Sequence, residues 1–378
     1  MTGTLPHTLT PLGRAPGRCV ATDPSGRFLA LAQGRRRVVI YDTAAALTPT
    51  SSHRLPDDTY EVAVHPDGAA IARLTHTWHL ELRQEGRRAR RLPTAIGASA
   101  LLADAQRHRW GAHGAGWVQF TSDGAWLLVG DIEGPHAGIS LYDAATLRLV
   151  ERAATITGAY PREPIGGWGE GVICACAPSP STAVAFAASA GDDVVTLGVA
   201  EVIGGRLALH GVTDEPAALS DKIPGERIHA LCLTHDDLFI ADSDEILSHL
   251  RWREGHAAIR RFASGYDLAD APPPALAGLY PDDDTRLCLI GPFARVGGEL
   301  LLSVERETLL DDRYHWSGWA LLGFDADARA LRGWCPTPAR DRLDPVGMTP
   351  AGVLYQHVGA QTEIWRLTPH PATDPGMS

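Results

Sequence analysis

Residues 61–74 read EVAVHPDGAAIARL, two apolar runs meeting at Pro66-Asp67-Gly68, and nearly the same phrase returns along the chain. Residues 18–43 give an alternating strand, Pro24-Ser25-Gly26, a second strand through Leu31, a Gly34 turn and a third strand ending Tyr41-Asp42. Residues 117–143 repeat that order around Ser122-Asp123-Gly124 and end Leu141-Tyr142-Asp143. Pro fixes φ at the first corner of a turn and Gly allows positive φ at the last, so each phrase reverses the chain between antiparallel strands. A sheet this small cannot bury both of its faces. Copies recurring every 40–60 residues therefore pack around a ring, as blades of a propeller.

Fainter copies continue the pattern. A fourth blade reads GVICACAP, AVAFAAS, VVTLGVAEV and LALHGV, and a fifth reads IHALCLT, LFIADS, ILSHLRW and AIRRFA. A sixth turns at Gly297-Gly298, and a seventh at Pro350-Ala351-Gly352 with only three strands of its own. Blade spans of about 18–55, 58–93, 116–153, 171–212, 227–263, 286–335 and 343–368 follow, with 369–378 as a flexible tail. Residues 5–12, LPHTLTPL, precede the first blade and supply the missing fourth strand of the last, which closes the ring and removes a sheet edge.

This pattern of strand, Ser/Pro-Asp-Gly turn and paired strands resembles the WD40-repeat family. Tyr41-Asp42, Tyr142-Asp143 and Phe324-Asp325 stand where that family has Trp-Asp, and no Gly-His dipeptide opens the blades, so the likeness is WD40-like. The resemblance implies one all-β, seven-bladed propeller of four-stranded blades. It also implies a scaffold or adaptor subunit without catalysis and without a cofactor.

Charge and composition narrow the function. The formal net charge is -11, which disfavours a nucleic-acid or membrane-surface binder, because phosphate affinity is built from clustered cations. One lysine, Lys222, and no asparagine occur, a bias that suggests a GC-rich bacterial genome. Lack of Asn removes N-glycosylation acceptors and Asn-based oxyanion donors. Six scattered cysteines in strand-like runs read as free thiols of a reducing compartment. With no leader-like N-terminus and no long apolar window, the expected location is the cytoplasm.

In blades of strands a to d, the b–c turns and d–a connections open on one face. The long connections 93–115, 154–170, 213–226, 264–285 and 336–342, with a b–c loop at 307–314, gather there. They carry Arg107, Trp110, Tyr160, Arg162, Trp168, Tyr266, Tyr280, Tyr314, Arg340 and Arg342. Aromatic and Arg side chains are the usual anchors of protein interfaces. A protein or peptide partner on this face is the expectation, with oligomeric state left open. The alternative occupancy is that these side chains pack their own loops onto the blades.

Other clusters point less firmly to chemistry. His235-Asp236-Asp237 falls at a blade turn, where acidic residues are ordinary. Asp282-Asp283-Asp284 lacks the spaced ligands of a calcium loop. Cys174 and Cys176 share one side of a strand without a second pair, and His76/His79 and His108/His113 bracket Trp78 and Trp110 without a third ligand. Gly167-Trp168-Gly169-Glu170-Gly171 precedes a strand, whereas phosphate cradling needs a helix N-terminus. Arg35-Arg36-Arg37 and residues 87–91 form two basic stretches near each other in the ring. Two further readings stay open: a propeller-type hydrolase or lyase using inner-strand carboxylates or His at the central opening, and a carbohydrate or small-ligand module stacking on Trp110, Trp168 and Trp316.

Overall fold

The computed structural model describes residues 5, 7–34, 36–44, 46–75, 79–94, 116–131, 138–154, 173–177, 181–190, 193–210, 223, 228–254, 259–270, 273–276, 279, 285–289, 292–311, 313–325, 327, 329–338 and 346–369. They form seven antiparallel sheets. Blade one pairs Arg18–Thr22, Phe28–Gln33, Arg37–Asp42 and Thr48–Arg54 in sequence order, and blades two to five repeat that meander. Blade seven takes Gly347–Met348, Val353–Val358 and Gln361–Pro369 from the C-terminal region. Its fourth strand is His7–Pro16, paired from His7 opposite Pro369 to Pro16 opposite Gln361. The ring is therefore closed by the N-terminal strand, which runs to residue 16, beyond the stretch 5–12 that the sequence suggests.

The strands explain why the ring must close. In Phe28-Leu29-Ala30-Leu31 successive side chains point to opposite faces of the sheet, and every one is buried. Phe28 and Ala30 meet Val62, Val64 and Ile71 of blade two, while Leu29 and Leu31 meet Val353 and Ile364 of blade seven. Seven such apolar clusters fill the seven interfaces between neighbouring blades. A blade without neighbours on both sides would expose a complete apolar face.

The repeated turns lock the blades together on one side of the ring. In blade one the Gly26 N–H donates to Asp23 O at 2.9 Å, and Gly68, Gly124 and Gly352 bond identically to His65, Thr121 and Thr349. Gly26 stands at φ +75, and a Cβ there would lie 2.5 Å from Cβ of Thr349 in blade seven. Thr349 Oγ1 in turn donates to Gly26 O at 3.1 Å, and Ser51 Oγ donates to Gly68 O at 2.9 Å. The Pro-x-Gly phrase thus makes both the hairpin and the contact to the preceding blade.

The c–d turns carry the residues that replace Trp-Asp. Asp143 and Asp325 end their c strands, and their carbonyls accept the N–H of Leu147 and Arg329 at 2.8 and 2.7 Å. Leu147 and Arg329 both hold positive φ. Asp42 accepts Arg27 and the Ala44 N–H at the matching place in blade one. Among the described residues no helix is long and apolar enough to cross a membrane.

Candidate functional site

Blade six departs from the repeat. Its b and c strands, Glu299–Leu310 and Arg313–Asp325, are 12 and 13 residues long against six in blade one. The segment 307–314, which the sequence suggests as a loop, is mostly strand: Glu307 pairs with Trp316, and Leu310 pairs with Arg313. Asp311 supplies the positive φ that this tight hairpin needs. The inner strand is split. Phe293–Val296 pairs with the lower half of Glu299–Leu310, and Thr285–Cys288 pairs with the upper half.

A wing is built by that second inner strand and the hairpin, on the face where the b–c turns and d–a connections open. Arg286 lies opposite Glu307 and places its guanidinium 2.6 Å from that carboxylate and 3.8 Å from the Tyr314 ring centroid. Glu307 is buried, whereas Tyr314 and Leu310 at the tip are 42% and 55% exposed. Burial works against the Arg286 charge, but the Glu307 hydrogen bond and neighbouring negative groups outweigh it and raise the pKa. Cys288 beside them is pushed up to about 12 by burial and by Glu245 and Glu307. It therefore stays a thiol, unsuited to nucleophilic work.

Lower on the outer side of the wing, a cleft of about 330 Å³ is lined by Arg306, Trp316, Trp319, Trp334 and Thr337 among others. Trp316 and Ser317 stand where the c strand bulges, since Arg306 pairs with Gly318 while Glu307 pairs with Trp316. A bulge re-aims neighbouring side chains. Trp316 Nε1 is buried and meets no hydrogen-bond acceptor.

Tyr314 is the one candidate anchor whose side chain is among the described residues, and it is exposed on the expected face. Tyr266 lies in the short helix Gly265–Asp270, with its side chain outside the described residues. Arg107, Trp110, Tyr160, Arg162, Trp168, Tyr280, Arg340 and Arg342 lie outside the described residues, as do Asp282–Asp284, His76, Trp78, His108, His113 and the glycine run 167–171. The connection 264–285 is not simply an open loop. Leu268, Leu276 and Leu279 from it are buried against Leu287 and Phe293 of blade six, as loops packed onto their own blades would be.

The other clusters resolve into structural contacts where they are described. Arg253 takes His235 O at 3.0 Å and lies 3.5 Å from Asp236, while Asp237 meets His249 at 3.3 Å. The His249 hydrogen bond holds the Asp237 carboxyl below its ordinary range, against the opposing effect of burial. Cys174 and Cys176 lie on the inner strand Ile173–Cys176, their side chains outside the described residues. Cys19, Cys232, Cys288 and Cys335 are free thiols, each pushed to about 12 by burial first of all. The two basic stretches come close at one end, where Arg36 meets Asp57 at 2.8 Å and Arg91 lies 3.8 Å from Asp58, while Gly86-Arg87-Arg88 sits in a c–d turn. One inner-strand acid stands out, Glu61 of blade two, whose carboxyl is pushed up to about 7 by burial.

No family model and no curated protein matches the sequence. Among solved structures, the chain is similar to the β-propeller domain of Cps50 (Swd1) from Myceliophteria thermophila, with 12% identity, a TM-score of 0.54, and coverage of 96% of this chain and 100% of that one. At that identity the likeness concerns the fold. The chain is a seven-bladed β-propeller of antiparallel blades.

Proposed function

We propose that the chain is a non-catalytic scaffold or adaptor in a bacterial cytoplasmic complex, holding a protein or peptide partner on the face where its long connections open. The observation that carries this reading is the blade-six wing. Its hairpin is about twice the repeat length, and it presents Leu310 and Tyr314 to solvent at its tip with Arg286 stacked beneath the ring. Exposed apolar and aromatic side chains on a rigid element, held by a charged neighbour, suit an interface anchor. Propellers of this type commonly serve as interaction scaffolds, which agrees with it.

Affinity purification of the tagged chain from its native host, at low and high salt, tests the reading. A stoichiometric protein recovered with the wild type and lost with Leu310→Asp and Tyr314→Asp, both variants remaining folded by circular dichroism, supports it. Recovery of the chain alone at both salts overturns it.

A further inference from the structure

Among the described residues, the outer edge of blade six lacks a paired strand where the long hairpin rises past its fourth strand. Leu331–Pro336 pairs with the c strand from Phe324 back to Ala320, and the Thr337 N–H then closes on Trp319 O at 3.1 Å. Among the described residues no strand pairs with the outer edge from Arg313 to Gly318, although its inner edge is paired throughout with Glu299–Leu310. A strand edge with open main-chain groups is a template for another strand.

Two features beside the edge define what fits it. The tryptophan-lined cleft lies at its base, and Trp316, one of its lining residues, has a buried indole N–H without an acceptor. Arg306 and Arg313 place positive charge along the edge. Arg306 gives its hydrogen bonds to Ser317, to Oγ at 3.0 Å and to O at 3.3 Å, and Arg313 and His315 are exposed. None of the three meets a carboxylate among the described residues, whereas Arg14, Arg27, Arg206 and Arg253 on other blades each do. A bulge and an arginine also discourage stray pairing at an edge, but they do not account for indoles gathered around a cleft beside it.

We propose that Arg313–Gly318 receives an extended, acidic peptide segment as an added strand, with one apolar side chain seated among Trp316, Trp319 and Trp334 and carboxylates facing Arg306, Arg313 and His315. Main-chain bonds supply affinity and the cleft supplies selection. A second copy of the chain fits poorly, because self-pairing would bring both copies of Arg306 and Arg313 onto one edge. This proposal rests on the docking reading and gives it a partner chemistry.

The test uses the full-length chain and a labelled, end-capped heptapeptide in which Glu alternates with Val around a central Leu. Companion probes carry Lys for Glu, or N-methyl groups on the odd or on the even amides. Expected are saturable binding by fluorescence anisotropy and added protection from hydrogen exchange confined to 313–319. One methylated isomer should bind at least tenfold more weakly than the other, and the Lys probe should not bind. Arg306→Glu and Arg313→Glu, with unchanged melting temperature, should weaken the acidic probe at least tenfold. Absence of saturable binding, equal binding of both methylated isomers, protection elsewhere, or amides at 313–318 already protected without probe each overturns the proposal. If the host partner is still recovered through Leu310 and Tyr314 while the probe fails, strand addition falls and the docking reading stands.

Discussion

Arg286 holds two neighbours at once, the Tyr314 ring at 3.8 Å and the Glu307 carboxylate at 2.6 Å, so one guanidinium joins the exposed tip of the wing to its buried root. Removing it should cost more than removing the ring. Arg286→Ala leaves a buried carboxylate without this counter-charge, an expected loss of about 2–3 kcal/mol. Tyr314→Ala removes a half-exposed ring and one cation–π contact, about 1 kcal/mol or less. Urea unfolding of both variants checks the order, and equal losses would show that Glu307 does not depend on Arg286.

Positive φ and blade contact separate at two glycines. Gly26 and Gly34 both hold positive φ, but an added Cβ at Gly34 meets nothing within 4 Å, whereas at Gly26 it would strike Thr349. Gly34→Ala should therefore cost about 1 kcal/mol from backbone strain alone. Gly26→Ala should cost about 1–3 kcal/mol beyond that, because the turn must move against blade seven. Thermal denaturation of the pair measures the difference, and similar melting temperatures would contradict the tight blade contact.

Arg73 is 2% exposed and reaches three groups of its own blade: Glu81, Asp58 at 2.8 Å and Thr59 at 3.0 Å. Glu81 also pairs with Arg83, so Arg73→Leu alone should lose less than the roughly 3–5 kcal/mol of a wholly stranded carboxylate, and adding Glu81→Leu should recover part of it. A double-mutant cycle in urea gives the coupling. The Arg73 hydrogen bond also holds the Asp58 carboxyl below its usual 3.8. Its contribution is thus full above the unfolded pKa and lost as pH falls through the folded one. The difference between wild type and Asp58→Asn should be flat well above the unfolded pKa and shrink as pH falls below it.

Glu61 titrates in the opposite sense. Burial raises its carboxyl from 4.5 to about 7, so the folded chain favours the protonated form and loses stability as pH rises from the unfolded value through 7. Glu61→Gln should be near neutral at pH 4 and stabilising by roughly 2–3 kcal/mol at pH 8.5. Melting curves across that range decide it, and a pH-independent effect would rule out this titration.

The ring was legible because its turns are spelled locally. Pro24-Ser25-Gly26 and Pro66-Asp67-Gly68 fix a hairpin within four residues, and the apolar runs beside them fit only blades buried on both faces. The wing was hidden for a physical reason. Glu305, Arg306 and Glu307 put charge on both phases of a strand, and the extra residue at Ser317 breaks the alternation that marks strand pairing. Its electrostatic centre joins Arg286 to Glu307 across 21 residues, a separation over which no local pattern runs. Tyr314 was visible as an exposed aromatic, yet Arg286, Arg306, Trp319 and Trp334 acquire their meaning from pairing alone. The Trp-Asp substitutes Asp143 and Asp325 were readable in position, while their role in c–d turns with positive φ at Leu147 and Arg329 needed the backbone.

The closing strand also sets a timetable for synthesis. His7–Pro16 leaves the ribosome before every blade, yet its partner Gln361–Pro369 follows the other six, and a bond such as Thr362 Oγ1 to Gly17 O spans 345 residues. Six blades can dock in order of emergence while the two halves of the seventh wait at opposite ends of the chain. Until they meet, the nascent protein carries an unpaired strand at one end and an uncovered apolar sheet face at the other, both open to mispairing. Nascent chains halted before residue 361 should therefore depend on chaperones, and that dependence should end once residue 369 has cleared the exit tunnel.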